Sequence, residues 1–557
     1  MKNNVSIIMN HPNSLYYGDN LNVLRQSIAD ESVDLIYLDP PFNSDRDYNI
    51  LFSSPKGASS EAQITAFEDS WHWGEQAESE FNEIMRQSNT AVAEMMDALR
   101  RFLGEDDIMA YLTMMTNRLL ELHRVLKPTG SLYLHCDPTA SHYLKIVLDG
   151  IFGRKQFGSE ITWQRHNSHN DSKNKYGAVT DTIFFYVKEK HSLQLPRTDL
   201  SKKYVKNFYR HDDGDGRGLY QLADMASPSP RPNMMYEWQG YAFPKKGWRY
   251  ERDTMQKLHD EGRIYYPADK KQRPRLKRYL NENQGKPITN LWTDIKPLTG
   301  AAAESLGYPT QKPVALLERI IEASTSEGDV VLDPFCGCGT AVHAAQKMGR
   351  KWIGIDITHL AVSLIEKRLR DAFPDGSFVV EGTPKDLEGA RDLANRDKYQ
   401  FQWWACSLVN AQPYQGKKKG ADGGIDGLIY FQDSTDTKNN KQHKKIIVSV
   451  KGGSSVNVAM VRDLAHVVQR EKAHIGLFVT LTPPTKPMLV EAVKEGYYES
   501  PHFPANTFPV IQILTVEGLL EGRERARFPD LARGSATFKK AKLEEKQVNQ
   551  KGFFDES

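Results

Sequence analysis

"SVDLIYLDPPFN", residues 32–43, carries the strongest structural signal in the sequence. Residues 35–38 form a short apolar run that is typical of a buried strand. The run ends at Asp39, followed by two prolines, an aromatic ring and an amide. A carboxylate and a proline-fixed carbonyl at a strand end can both accept hydrogen bonds from an amino group, and the ring can stack on a base. The alternative interpretation is a strand-ending turn stiffened by prolines.

A second stretch, "VVLDPFCGCGTAVHAA" at 330–345, is typical of a strand, a glycine-rich turn and the start of a helix. Gly337 and Gly339 permit a tight backbone turn and close approach of a ligand to the helix amides. The following strand, "WIGID", ends at Asp356, where an acid can accept hydrogen bonds from ribose hydroxyls. The sequence lacks a Walker lysine and a GxGxxG motif, so the pattern favours a nucleoside cofactor over a phosphate group. A tight strand-to-helix turn without a ligand is the alternative.

Composition indicates an ordinary soluble protein of several domains. The chain has 557 residues, 39% of them hydrophobic, and a formal net charge of +2, so a polyanion site must be a local patch. The four cysteines, at 136, 336, 338 and 406, show no zinc spacing, so we expect no metal site from them. We see no secretory signal and no apolar run near the roughly 20 residues that span a bilayer. The expected location is the cytoplasm, away from membranes.

Strands and amphipathic helices alternate in two blocks, which predicts an α/β fold with a doubly wound, Rossmann-like, mostly parallel sheet. Within the first block, we expect a helix at 106–126, a turn at "KPTG" and a strand from 131. The predicted boundaries are a first catalytic part at 1–192, an irregular insertion at 193–306, a cofactor-binding part at 307–385, a C-terminal α/β domain at 386–535 and a charged tail at 536–557.

The two motifs together resemble the amino-methylating DNA methyltransferases. "DPPF" at 39–42 is similar to their catalytic motif, and "DPFCGCGT" at 333–340 is similar to their FxGxG motif for S-adenosyl-L-methionine. The catalytic motif comes first, and this permuted order is the mark of the β group. Further similar pieces, all in the family's order, are "YYGDNLNVL", "SLYLHCDPTASHYLK", "EITWQR" and "YPTQKPVALLERII".

The resemblance implies a role for each matching residue. The flipped base and its amine are held by Asp39, Pro40, Pro41 and Phe42, and methyl transfer is direct, without a covalent enzyme intermediate. The implied cofactor residues are Asp19, Tyr308, Lys312, Asp333, Phe335, Gly337, Gly339, Thr340 and Asp356. The cysteines of "FCGCG" are interpreted as small fillers. An aspartate at 39 favours N6 of adenine, whereas cytosine N4 enzymes more often carry SPPY.

The insertion fits a target-recognition domain for double-stranded DNA. Its segment "DKKQRPRLKRY" concentrates six basic residues, which suit contacts with phosphates or, alternatively, form a solvated loop. The resemblance also suggests a homodimer and a restriction or defence-system protein partner.

The C-terminal domain resembles the Mrr-type PD-(D/E)xK restriction endonucleases. Asp426 and Lys451 occupy strands with the family's pattern, but the slot of the second carboxylate holds Ser449, and Gln402 stands where a helper glutamate is expected. A hydroxyl is a poor Mg²⁺ ligand beside a carboxylate. Three interpretations stay open: an inactive DNA- or partner-binding module, an active nuclease that uses Mg²⁺ in a fused restriction–modification enzyme, and a purely structural unit.

Overall fold

The structure, a computed structural model, describes residues 13–41, 47–53, 59–68, 72–166, 176–190, 193–299, 302, 304–306, 308, 310–414, 423–433, 443–504, 506–531, 537–538 and 541–544. For 47–53 and 59–68 only the backbone is described. The chain divides into two compact units, one at 195–289 and one that comprises 1–194 and 290–557.

The first part of the larger unit alternates strands and helices around a buried core. Its strands are β1 (Asn13–Tyr17), β2 (Val33–Leu38), β3 (Asp47–Ser53), β4 (Ser59–Glu68), β5 (Leu126–Cys136), β6 (Phe157–Gln164) and β7 (Thr180–Val187). Its helices are α1 (Asn20–Ser27), α2 (Glu75–Met85), α3 (Thr90–Leu103), α4 (Asp107–Val125) and α5 (Ser141–Phe152).

The unit at 195–289 is built mainly from short strands. They are β8 (Arg197–Thr198), β9 (Tyr220–Asp224), β10 (Ile264–Tyr265), β11 (Arg275–Tyr279) and β12 (Lys286–Pro287), accompanied by helices α6 (Lys202–Phe208) and α7 (Arg252–Asp260). Strands β10, β11 and β9 form a small antiparallel sheet over a core that is rich in Met, Tyr and Trp.

The chain then returns to the larger unit. The elements that follow are β13 (Leu291–Trp292), β14 (Val330–Asp333), β15 (Lys351–Asp356) and β16 (Val379–Glu381), with helices α8 (Val314–Ser324), α9 (Thr340–Lys347) and α10 (His359–Ala372).

The C-terminal part has its own five-stranded sheet, in the order β17-β18-β19-β20-β23. Its strands are β17 (Gln412–Pro413), β18 (Gly427–Phe431), β19 (Lys444–Lys451), β20 (Ile475–Thr480), β21 (Tyr497–Glu499), β22 (Thr507–Pro509) and β23 (Ile511–Thr515). Its helices are α11 (Leu387–Arg396), α12 (Lys398–Leu408), α13 (Val458–Arg470), α14 (Lys486–Lys494) and α15 (Val516–Leu520).

The central sheet has nine strands in the order β13-β6-β7-β5-β2-β14-β15-β1-β16. Strands β5, β2, β14, β15, β1 and β16 are parallel, and β7 runs antiparallel to β5 and β6. The side chain of Asp34 on β2 accepts a hydrogen bond from Val330 N on β14, 296 residues later in the chain, at 2.9 Å. Carboxyl ends of parallel strands meet at one edge, so the ends of β1, β2, β14 and β15 lie together. The predicted α/β fold is confirmed.

One local prediction is wrong. The expected turn at "KPTG" lies inside β5, because Val33 pairs with Leu126 and Leu35 pairs with Ser131 in a register that shifts between them. The extra residues form a bulge, which lets a proline and a glycine sit within a strand.

Helix α4 is buried along most of its length, although it contains polar residues. Its residues are buried on nearly all sides, including Thr113 and Thr116, whose hydroxyls donate to the carbonyls of Met109 and Leu112. These bonds satisfy the polar groups that the core would otherwise leave unpaired. In the described part of the chain, no helix is long and apolar enough to cross a membrane.

Candidate active site

Asp39 stands at the carboxyl end of β2, where Pro40 and Pro41 end the strand because they carry no N–H. Its Oδ2 accepts a hydrogen bond from Lys312 Nζ at 2.5 Å. Its Oδ1 is buried and has no hydrogen-bond partner among the described residues. An unsatisfied buried acceptor is costly, so Oδ1 is an atom that a substrate N–H would satisfy. Phe42 lies outside the described residues.

The glycine-rich turn after β14 leads into α9. Gly337 and Gly339 have φ angles of 53° and 75°, in the left-handed region that glycine adopts without strain. A Cβ on Gly337 would lie 3.4 Å from the Tyr308 ring, and one on Gly339 would lie 2.8 Å from Ile365 Cγ1. A side chain at either position would therefore crowd the turn. The two glycines leave the start of α9, at Thr340, open to a ligand.

Asp333 ends β14 beside Asp39. Its Oδ1 accepts a hydrogen bond from Phe335 N at 3.0 Å, which shapes the turn. Burial raises the pKa of Asp333 well above the usual range, and the carboxylates of Asp39 and Asp356 add to this shift. The raised pKa favours the neutral form of Asp333, which reduces the charge repulsion among the acids at this strand edge.

Asp356, at the end of β15, is oriented from both sides. Its Oδ1 accepts from Thr358 N and Thr358 Oγ1, each at 2.9 Å, and its Oδ2 accepts from Gly337 N at 2.9 Å. Desolvation raises the pKa of Asp356 to about 6, against the effect of these hydrogen bonds. A fixed carboxylate beside a glycine turn suits the two hydroxyls of a ribose.

The pKa of Asp356 makes ligand binding sensitive to acid. If Asp356 binds ribose as a carboxylate, the Kd for S-adenosylhomocysteine should be nearly constant between pH 7 and 8 and rise about tenfold per pH unit below about 6. Isothermal titration calorimetry between pH 5 and 8 measures this. Asp356→Asn should bind more weakly with no such rise; a rise that persists in this variant would contradict the prediction.

Asp19 follows β1 and is held by a residue that the sequence analysis missed. Its Oδ1 accepts from Asn22 N and caps α1, and its Oδ2 pairs with Arg118 Nη2 at 2.8 Å. Arg118 lies in α4, with its side chain only 6% exposed, and its Nε donates to Asn20 Oδ1 at 2.6 Å. Arg118 thereby ties α4 to the start of α1. No local pattern marks it, because it stands in an apolar helix.

Replacing Arg118 should destabilise this corner of the fold. We expect Arg118→Met to lower the free energy of unfolding by about 2 kcal/mol, less than for a fully buried pair because Asp19 is partly exposed. Urea denaturation followed by tryptophan fluorescence measures the change. Arg118→Lys, which keeps the charge but loses the forked geometry, should recover part of it; equal losses in both variants would argue that the charge contributes nothing.

A cavity of about 380 Å³ opens at this strand edge, within the range of small-molecule sites. The predicted residues that line it are Asp19, Asp39, Pro41, Tyr308, Lys312, Asp333, Phe335, Gly337, Thr340 and Asp356. The predicted residues Pro40 and Gly339 do not line it, whereas Tyr37, Gln76, Met114, Arg118 and the two cysteines of the turn do. Burial raises the pKa of both thiols, so they are neutral. The acid, the turn and the aromatic ring fit S-adenosyl-L-methionine.

The C-terminal part brings its predicted residues together in a second cluster. Asp426 is buried, and its Oδ1 accepts from Gln402 Nε2 at 3.0 Å, while its Oδ2 accepts from Val450 N at 2.7 Å. Ser449 Oγ lies 3.4 Å and Lys451 Nζ 4.0 Å from the same Oδ2. Each oxygen of the carboxylate is therefore engaged by a donor of the protein.

This cluster does not fit the metal that its resemblance implies. Among the described residues, no group of three or more His, Cys, Asp or Glu is arranged to hold a metal ion. Asp426 supplies the carboxylate here, and Mg²⁺ sites in proteins are built chiefly from carboxylates and water.

Comparison with known proteins decides the family. Residues 33–367 match the family described as DNA methylase. The chain belongs to this DNA methylase family. Residues 393–496 of the methylase match a second family, described as restriction endonuclease. Both resemblances found in the sequence are confirmed, and the enzyme is a DNA methyltransferase with an Mrr-like nuclease domain.

Similar proteins come mainly from restriction–modification systems. The methylase is 29% identical over 400 residues to the type II methyltransferase M.EcaI of Enterobacter cloacae, covering 70% of this chain and 76% of that protein. It is 25% identical to the type III StyLTI Mod subunit of Salmonella typhimurium, covering 61% of this chain and 51%, about half, of the subunit. It is 24% identical to the DNA adenine methyltransferase YhdJ of Escherichia coli, covering 65% and 83%.

Among solved structures, a Thermus thermophilus protein titled a putative DNA modification methylase, complexed with S-adenosyl-L-methionine, is 16% identical to this chain. The match covers 66% of this chain and 99% of that one, with a TM-score of 0.32.

Proposed function

We propose that this methylase transfers a methyl group from S-adenosyl-L-methionine to the N6 amine of adenine in double-stranded DNA. The observation that carries the proposal is Asp39: one oxygen is held by Lys312, and the other is buried in the cavity without a partner among the described residues. Such an oxygen can accept a hydrogen bond from an exocyclic amine. A base inside a duplex cannot reach a buried atom, so the target must flip out of the stack.

Asp39 would orient the amine and stabilise the positive charge that develops on it. S-adenosyl-L-methionine, when bound, supplies a methyl group attached to a positively charged sulfur. A hydrogen bond from the amine to Oδ1 fixes the direction of the nitrogen lone pair, and the carboxylate stabilises the positive charge that grows on nitrogen. The Pro40 carbonyl and the Phe42 ring are proposed as the second acceptor and the stacking surface, from the family resemblance.

The cofactor is proposed to bind along the edge formed by the ends of β1, β14 and β15. Asp356 would accept from the ribose hydroxyls, because both of its oxygens are already aimed by Thr358 and Gly337. The remaining cofactor contacts that we propose come from Asp19, Tyr308, Phe335 and Thr340, which line the cavity, while Gly339 would act by shaping the turn. These residues would bind and orient the cofactor and exclude water from it.

Adenine is proposed over cytosine because residue 39 is an aspartate, and one relative is named an adenine methyltransferase. The test is to incubate the full chain with unmethylated plasmid and S-adenosyl-L-methionine, digest the DNA and weigh the nucleosides. N6-methyladenine is the expected product. N4-methylcytosine would overturn the choice of base, and no methylated nucleoside on DNA of diverse sequence would overturn the proposed activity.

The unit at 195–289 is proposed to recognise the target DNA. Five of the six basic residues of the segment at 269–279 are exposed: Lys270, Lys271, Arg273, Arg275 and Arg278. The sixth, Lys277, is ion-paired with Asp213 at 2.5 Å. An exposed basic edge on a small separate unit suits contacts with phosphates.

Removing two of these charges should weaken DNA binding. We expect Lys271→Gln with Arg273→Gln to lower the affinity about tenfold and to reduce the slope of log K against log salt by about two. Fluorescence anisotropy at several salt concentrations measures both values. The matched control is Lys202→Gln with Lys203→Gln, two exposed lysines of the same unit, which should change little. Equal effects of the two pairs would reduce the result to net charge.

For the C-terminal domain we propose a DNA-binding role without cleavage. The support is the buried carboxylate of Asp426, whose two oxygens are engaged by Gln402 and Val450. Unmethylated plasmid incubated with Mg²⁺ should stay intact. Cleavage that requires Mg²⁺ and disappears in Lys451→Ala would overturn this proposal and establish a fused restriction–modification enzyme. The homodimer, the protein partner, the cytoplasmic location and the domain boundaries stay predictions.

A further inference from the structure

Helix α12 of the C-terminal domain lies between two sites. It begins after Asp397, whose side chain accepts from Tyr399 N and Gln400 N. One face is buried in the core of the C-terminal domain through Phe401 and Trp404. Another side chain of the helix, Gln402, is the partner of Asp426 described above. Two other side chains of α12, Gln400 and Trp403, contact the cofactor-binding part.

Gln400 holds the first residue of α10. Its Oε1 accepts a hydrogen bond from His359 N at 3.0 Å. The first amides of a helix have no partner within the helix, so Gln400 satisfies one of them from another domain. His359 directly follows Thr358, the residue that donates twice to Asp356.

The His359 side chain extends this contact to β1. Its ring stacks on the Tyr17 ring, with centroids 3.5 Å apart and an interplanar angle of 20°. Tyr17 is the last residue of β1, one position before Gly18, which lines the cavity. A shift at the start of α10 would therefore displace residues at the ends of both β1 and β15, which border the cavity.

Trp403 contacts a second region of the cofactor-binding part. It packs against a small buried cluster formed by Tyr308, Cys338 and Leu360. Tyr308 and Cys338 line the cavity, and the Tyr308 ring lies against the space above Gly337. The indole therefore belongs to the packing around this cluster, which includes the Tyr308 ring.

We propose that Gln400 and Trp403 are positioning residues of the cofactor site, contributed by the nuclease-like domain. Neither residue lines the cavity itself. They act by fixing Thr358, and through it Asp356, on one side and Tyr308 on the other. The inference rests on the proposed cofactor. By linkage, a cofactor that binds this wall must stabilise the docking of α12 by the same factor.

The test measures binding rather than turnover. In the full chain, Gln400→Leu and Trp403→Ala should each raise the Kd for S-adenosylhomocysteine about tenfold by calorimetry, within the range of coupled sites. Gln400→Glu should bind as the wild type does, because a carboxylate keeps the acceptor and suits this position near the helix start. In steady state, the KM for the cofactor should rise while the KM for DNA and kcat stay unchanged. Hydrogen exchange of α12 in the wild type should slow when S-adenosylhomocysteine is added.

A control variant separates positioning from general loss of stability. Leu464→Ala opens a different core cluster of the same domain and should leave the Kd unchanged. Wild-type Kd values in both Gln400→Leu and Trp403→Ala would overturn the inference, as would an equal rise in Leu464→Ala. A wild-type chain that does not bind S-adenosylhomocysteine would remove the cofactor and the inference together. A product of N4-methylcytosine would change the proposed base and leave the inference standing.

Discussion

Replacing Asp39 with alanine should lower the single-turnover rate of methyl transfer about a thousandfold. The variant loses the acceptor that orients the amine and the negative charge that faces the developing cation. In enzymes, loss of orientation or of electrostatic stabilisation lowers reaction rates by factors of about a hundred to a thousand. Binding of S-adenosylhomocysteine and of DNA should stay within a few-fold of wild type, because the proposed role of Asp39 is to contact the target amine rather than the cofactor. Rapid-quench assays with radiolabelled cofactor give the rate, and calorimetry gives the Kd.

Asp39→Asn is the matched control. The amide keeps one oxygen acceptor but carries no charge and offers a second, unwanted donor toward Lys312. Its rate should fall between those of the wild type and the alanine variant. Thermal denaturation must show that all three proteins are folded. Unchanged methylation in Asp39→Ala would refute the assignment of the active site.

The parts of the site that local pattern predicts are the strand ends. Asp39, Asp333 and Asp356 each follow a short apolar run. In the structure, Asp333 and Asp356 are the last residues of β14 and β15, and Asp39 directly follows β2. Parallel strands place such residues at one edge, so their meeting follows from the fold class. The strand order does not: the sequence contains no local signal that β2 pairs with β14.

What the sequence could not supply are contacts made at long range by residues with no pattern of their own. Arg118 stands in the apolar helix α4, and its partners Asp19 and Asn20 lie about a hundred residues earlier. Gln400 and Trp403 lie in a helix whose sequence gives no sign that it docks on the cofactor part. Such side chains are selected by neighbours that only the folded chain brings to them.

The C-terminal domain shows both cases. The pattern predicts that Asp426, Ser449 and Lys451 meet, and they do, within 4.0 Å of one carboxylate oxygen. That Gln402 donates to the other oxygen depends on how α12 packs on the sheet. A glutamate at position 402 could bind a metal ion, whereas the amide of Gln402 donates a hydrogen bond. That bond occupies a lone pair of Asp426 that a cation would need.

Lys312 is the residue whose proposed role the structure shifts most. From the resemblance we expected a neighbour of the cofactor; its Nζ pairs with Asp39, 273 residues earlier, while the side chain also lines the cavity. If it acts through Asp39, Lys312→Met should lower the methylation rate about a hundredfold, because the carboxylate loses the donor that fixes its orientation. The Kd for S-adenosylhomocysteine should change less than threefold. The two quantities are measured in the same assays as for Asp39.

Lys312→Arg supplies the conservative comparison. A guanidinium can donate to Asp39 Oδ2, although its fork and longer reach fit a 2.5 Å contact less well, so about a tenth of the wild-type rate should return. The double variant Asp39→Asn with Lys312→Met should be no slower than the slower single variant, since residues that act as a unit are not additive. If the Kd in Lys312→Met rises as far as the rate falls, Lys312 is a cofactor ligand, and the orientation of Asp39 must come from the substrate itself.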